Sequence, residues 1–283
     1  MKLILSCTVV LMVMLAGICA QAQGTLVPYD KFESKLLNPD LWFGSVSTST
    51  GGSHLESATQ IKTEPTYGMG VDLLHRGYGS TDSNSLRAVT RNRLYFSDGT
   101  GITTIQGTVQ VKKVQATGCL PANPNPTDVQ ARMGGFFFNT VTTTPGDSTN
   151  DVGAFIVLRR RSNSTDASNV LEVVGYAIQC TIDDCSTSDP VGSEQSLGTA
   201  RVGQRIKLRI TWDQAGNRFV FQKGKSAEVP LGYSLTDTFA PGSANGGAKR
   251  LDIQEIVANC TTQPRPVGYM EVYFDNVYVS AIP

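Results

Sequence analysis

Residues 205–224, RIKLRITWDQAGNRFVFQKG, alternate apolar and polar side chains with a period of two. Ile206, Leu208, Ile210 and Trp212 fall on one face, and Lys207, Arg209 and Thr211 on the other. That spacing predicts a half-buried strand. Asp213, Gly216 and Asn217 supply turn chemistry, and Phe219 and Phe221 then share a face of a return strand. The segment reads as a β-hairpin with an aromatic core side.

The same period recurs along the chain. Strands are expected near 57–64, 71–76, 85–93 and 102–114, the last with Ile105, Gly107, Val109 and Val111 on one side. VQARMGGFFFN at 129–139 and DVGAFIVLRR at 151–160 form a second strong pair, and 171–180, 194–201, 251–258 and 269–281 follow. Pro28 interrupts an opening strand at 25–33, which points to an edge or a bulge. Residues 46–53, rich in Ser, Thr and Gly, read as a loop, as does the proline-rich stretch 119–128. Outside the N-terminal 22 residues no long stretch keeps a 3.6-residue period. Roughly twelve strands separated by turns predict an all-β protein, a two-sheet antiparallel β-sandwich formed as one domain over residues 23–283.

Residues 1–22 carry a basic start at Lys2, an apolar run and a small-x-small site at Ala20 and Ala22, the pattern of a signal peptide. The run is too short for a membrane span. A secreted/extracellular or periplasmic chain starting near Gln23 is expected. Lys plus Arg and Asp plus Glu are 24 each, for a net charge of zero. No basic field for nucleic acid follows from that balance. The run Arg159-Arg160-Arg161 is expected to be a solvated strand end. Beyond Cys7 and Cys19, the cysteines are Cys119, Cys180, Cys185 and Cys260. An even count in an exported chain predicts two disulfides. The four-residue turn between Cys180 and Cys185 favours that pair, leaving Cys119 with Cys260.

Tyr29-Asp30-Lys31-Phe32, Asn38-Pro39-Asp40-Leu41-Trp42, Ile210-Thr211-Trp212-Asp213 and Phe274-Asp275-Asn276-Val277-Tyr278-Val279 resemble, in order, the opening, late-hairpin and closing motifs of the concanavalin A-like lectin/glucanase (LamG-like jelly-roll) superfamily. The resemblance spans most of the chain. It implies a jelly-roll sandwich with neighbouring first and last strands, and carbohydrate recognition. It also implies a structural calcium held by Asp30 and Asp275, an ion that takes six to eight oxygen ligands.

The Glu-x-Asp-x-(x)-Glu strand of the family's glucanases is missing. Asp252 and Glu255, three apart, point to opposite faces of a strand. Glu271 and Asp275 share a face but stand about 13 Å apart at ~3.3 Å per residue. All four are expected to be solvated. No triad or zinc motif accompanies His54 or His75. Aromatic faces beside hydrogen-bonding groups suit sugars, and Tyr67 and Tyr78, in glycine-flanked loops with His75 and Arg76, are the candidate ligand residues. The sequence therefore reads as a non-catalytic, lectin-like module for a glycan on a cell surface or matrix. The alternatives are a divergent glycoside hydrolase or polysaccharide lyase using a pair such as Glu172 and Glu271, and a structural surface or assembly protein.

Overall fold

The structure, a computed structural model, describes residues 25–34, 36–50, 55–66, 70–81, 88–119, 126–142, 144–243, 248–258 and 265–280. Residues 1–22, expected to be a signal peptide, and His54, Tyr67 and Cys260 lie outside them. Sixteen strands run through the described residues: β1 (Leu26–Asp30), β2 (Trp42–Thr50), β3 (Leu55–Thr66), β4 (Gly70–Thr81), β5 (Ala88–Phe96), β6 (Thr104–Ala116), β7 (Asp128–Asn139), β8 (Asp151–Arg161), β9 (Val170–Cys180), β10 (Ser188–Pro190), β11 (Gln195–Arg201), β12 (Arg205–Asp213), β13 (Arg218–Lys223), β14 (Val229–Gly232), β15 (Arg250–Val257) and β16 (Val267–Ser280).

They form two antiparallel sheets. The first runs β14-β13-β12-β6-β16-β4-β3, with β1 on β16; the second runs β10-β9-β8-β7-β15-β5-β2, with β11 on β9. The first and last strands are thus neighbours, and a register shift between Pro28 and Asp30 marks the bulge that the proline imposes. The hairpin β12–β13 closes through Asn217 at φ 48°, a left-handed position that asparagine tolerates.

The core lies between the sheets. Ile206, Leu208, Ile210, Phe219 and Phe221 of the first sheet bury against Leu171, Val173 and Ala177 of the second. Gly175 is what lets the layers meet here, because a Cβ at that position would run into the ring of Phe221. The opening motif gains its reason in the same way. Tyr29, Phe32 and Trp42 cluster with Phe96, and Trp42 Nε1 donates to Asp30 Oδ2 at 2.7 Å.

Two segments depart from the sequence reading. The Ser/Thr/Gly stretch 46–53 is not all loop: β2 continues to Thr50, pairing residue by residue with β5. It carries no apolar alternation because it is a sheet edge, where one neighbour supplies the ladder. Tyr78 with its flanking glycines is not in a loop either. β4 runs through it, with Tyr78 opposite Tyr269 on one side and Ala58 on the other.

Candidate functional site

β7, central in the second sheet, is buried along its whole length, on the side away from the core as well as toward it. Its outer face and those of its neighbours form the floor of a cleft of about 400 Å³, within the range of about 300–1,000 Å³ usual for small-molecule sites. Register places the floor in rows, since directly paired residues share a face. One row runs Phe43, Tyr95, Arg250, Gly134, Phe155, Tyr176. The next contains Arg93, Asp252, Arg132 and Val157, and the third Arg91, Gln254, Gln130 and Arg159.

Asp252 is the hub of the middle row. Its Oδ1 accepts from Arg132 Nε at 2.6 Å, and its Oδ2 from Arg132 Nη2 at 2.8 Å and Arg250 Nε at 2.7 Å. Burial opposes its charge, but the two guanidiniums overcome that and hold the carboxyl well below the usual range. The same guanidiniums lie over the buried Phe155 ring, at 5.4 Å for Arg132 and 4.8 Å for Arg250. Their geometry is thereby set from below and from the side.

Arg91 and Arg93 are different. Arg93 Nη1 donates to Tyr95 Oη at 3.0 Å, but Nε of both arginines is buried without a hydrogen-bond partner. No carboxylate among the described residues forms an ion pair with either. Burial, followed by repulsion from Arg93, Arg132 and Arg250, pushes Arg91 down to about 10, so it stays charged at neutral pH. Four guanidiniums therefore line the cleft, against Asp252 buried beneath its floor and Asp184 in its wall.

The rim is aromatic on one side. Phe43 is 36% exposed and stacks on Tyr95 with centroids 5.0 Å apart and planes 14° from parallel. The opposite wall comes from residues 184–188. The Cys180–Cys185 disulfide holds it with a Cα–Cα separation of 4.9 Å, and Ser148 N donates to Asp183 O at 2.8 Å. A third wall holds Ser243. Its segment is fixed by buried Asp151, which accepts from Gly242 N at 2.7 Å and Ser243 N at 2.8 Å.

The expected pair Cys180–Cys185 is present. Cys119 is also disulfide-bonded, to a partner outside the described residues. His75, Arg76 and Tyr78 lie on β4 of the first sheet, so their strand takes no part in this cleft. Asp30 accepts from Phe32 N at 2.6 Å and from Trp42. Asp275 is buried and accepts from Arg205 Nη2 at 2.5 Å and Asn276 N at 2.7 Å. Oxygens already committed to N–H donors do not suit a hard cation that needs six or more oxygens, and no group of three or more metal-ligating side chains occurs among the described residues.

The expectation that Asp252, Glu255, Glu271 and Asp275 are solvated is overturned, since all four are buried. Arg132 on the adjacent β7 takes Asp252, Arg205 on β12, beyond β6, takes Asp275, Tyr269 Oη donates to Glu271 at 2.9 Å, and burial raises Glu255 well above the usual range. Asp252 and Glu255 do face opposite sides. Glu172 pairs with Arg159 on the second sheet, whereas Glu271 lies on β16 of the first, so the fold does not assemble them into a hydrolase pair. Arg159 is no solvated strand end: it is buried and bridges Glu172 and Glu194.

Nothing in the sequence reading pointed to the arginine cleft. Its signal was there in the polar positions of TRNRLYF, VQARM and RLDIQ, but only the strand order β5-β15-β7 brings them side by side.

No protein-family model matches the chain, and no curated protein matches it. Among solved structures the chain is similar to the potassium-bound carbohydrate recognition domain of Emp46p (13% identity, 78% of this chain and 88% of that chain, TM-score 0.32). It is also similar to a beta-1,3-glucanase from Mycobacterium marinum (10%, 87% and 96%, TM-score 0.33) and to lectin II from Ulex europaeus (10%, 83% and 98%, TM-score 0.27). Lectins and a glucanase are thus among the structures it resembles.

Proposed function

We propose that the chain is a secreted, non-catalytic binding module that takes a carbohydrate in the outer cleft of its second sheet. The observation that carries this reading is the stacked pair Phe43–Tyr95 at the rim, beside the guanidiniums of Arg91 and Arg93, which line the cleft without an ion-pair partner among the described residues. Sugar rings need that combination: C–H faces pack on aromatic rings while hydroxyls meet fixed hydrogen-bonding groups. Glycans on a cell surface or in a matrix are the partner class this supports. The carboxylates of the cleft favour binding over hydrolysis, because Asp252 has both oxygens engaged and Asp184 is committed to its own turn through Ser186 N.

A glycan-array screen tests the proposal. The wild-type chain should bind a defined subset of glycans, with and without added calcium, and Tyr95→Ala or Phe43→Ala should abolish most of that signal. Binding that survives both changes but is lost on replacing Tyr78 or His75 would move the site to the first sheet. No binding to any glycan would reject the reading.

A further inference from the structure

We infer that the cleft selects an acidic oligosaccharide, one whose rings carry carboxylate or sulfate groups, with Arg91 and Arg93 as the residues that contact the anion. The inference rests on the carbohydrate reading above and deepens it.

The four arginines divide into two kinds. Arg132 and Arg250 are spent on the protein, since Asp252 takes a fork from the first and a third bond from the second. Their role is to neutralise that carboxylate and to build the floor over Phe155. Arg91 and Arg93 stand two residues apart on β5, on the same face and in adjacent rows of the cleft. Neither has an ion-pair partner among the described residues, and both keep a buried, unsatisfied Nε–H.

That arrangement is unfavourable in the empty protein. Like charges are gathered in a partly buried space, and donors left without acceptors keep their desolvation cost. An anionic group in the cleft relieves the repulsion, meeting the guanidiniums of Arg91 and Arg93 where they line it. A carboxylate or sulfate offers two oxygens to a guanidinium fork, which a neutral hydroxyl does not. The aromatic rim then defines the rest of the ligand. Tyr95 touches both systems, stacking with Phe43 through its ring and accepting from Arg93 through its hydroxyl. An anionic group bound at Arg93 would therefore sit one side chain away from a ring stacked at the rim. Free phosphate satisfies the charge but leaves this platform unused.

Calorimetric titration of the full chain with three oligosaccharides of equal length separates the possibilities: an oligouronate, its carboxyl-reduced neutral counterpart, and an O-sulfated neutral chain. At least one acidic ligand should bind at least about tenfold more tightly than the neutral counterpart, and the preference should shrink as salt rises. Which acidic ligand wins identifies carboxylate or sulfate as the group read. Arg91→Gln with Arg93→Gln should remove the preference while leaving the melting temperature at or above that of the wild type. Arg91→Lys with Arg93→Lys should retain charge but lose affinity through loss of the fork. Equal affinity for the acidic and neutral chains, or an acidic preference that survives the double glutamine variant, would overturn the inference while leaving carbohydrate binding intact. An array negative for every glycan would instead overturn the function on which it rests.

Discussion

Asp252 and Glu255 stand three residues apart on β15, and alternation sends one to the cleft and the other to the core. Both are fully buried, and their carboxyls move in opposite directions. For Asp252 burial is outweighed by Arg132 and Arg250, so its folded pKa lies below the unfolded value and its stabilisation is present at neutral pH. It is lost as pH falls below about 4. For Glu255 burial dominates, neither oxygen has a partner, and the folded state binds the proton more tightly. Stability then declines as pH rises above the unfolded value of about 4.5. Denaturant unfolding across this range should show Asp252→Asn losing about 3–5 kcal/mol at pH 7, the cost of leaving buried guanidiniums uncompensated. Glu255→Gln should leave stability nearly unchanged near pH 4 and raise it progressively at higher pH. If the effect of Glu255→Gln were flat with pH, Glu255 would titrate as an ordinary carboxyl. The face of each residue was readable from spacing alone. Their burial was not, because the neighbours that exclude water come from other strands, β7 for Asp252 and β16 of the opposite sheet for Glu255.

Among the strands, the hairpin β12–β13 and the bulge at Pro28 followed from short runs of residues, and the pairing of β1 with β16 from the resemblance that the opening and closing motifs carry, so all three were legible. β2 and the extension of β4 through Tyr78 were not, because their ladders depend on neighbours more than on their own apolar pattern. The cleft belongs to this second kind. Its rows mix β2, β5, β15, β7, β8 and β9, and no single strand announces them. The contact between the sheets depends on the same non-local logic at Gly175, which sits under the ring of Phe221. Gly175→Ala should lower stability by about 1–3 kcal/mol through overpacking, read as a drop in melting temperature. An unchanged melting point would mean the ring has room to turn aside.

The two outer faces of the sandwich differ in character. On the first sheet, outward carboxylates meet partners of their own, as Asp275 meets Arg205, Glu271 meets Lys113 at 3.9 Å and Tyr273 Oη donates to Glu64 at 3.0 Å. On the second, charge is left over: four guanidiniums line a walled cleft, two of them without a carboxylate, beside stacked aromatic rings. Net charge across the chain is zero, so this local excess is invisible in composition and appears only once the strands are in order. No helix among the described residues is long and apolar enough to cross a membrane. The proposed function turns on a carbohydrate seating in this cleft, and a crystal structure of the chain with its best-binding oligosaccharide is the decisive experiment. The expected result is a sugar ring against Phe43 and Tyr95 with an acidic group at Arg91 and Arg93. A sugar bound on the first sheet, with the cleft filled only by solvent, would refute it.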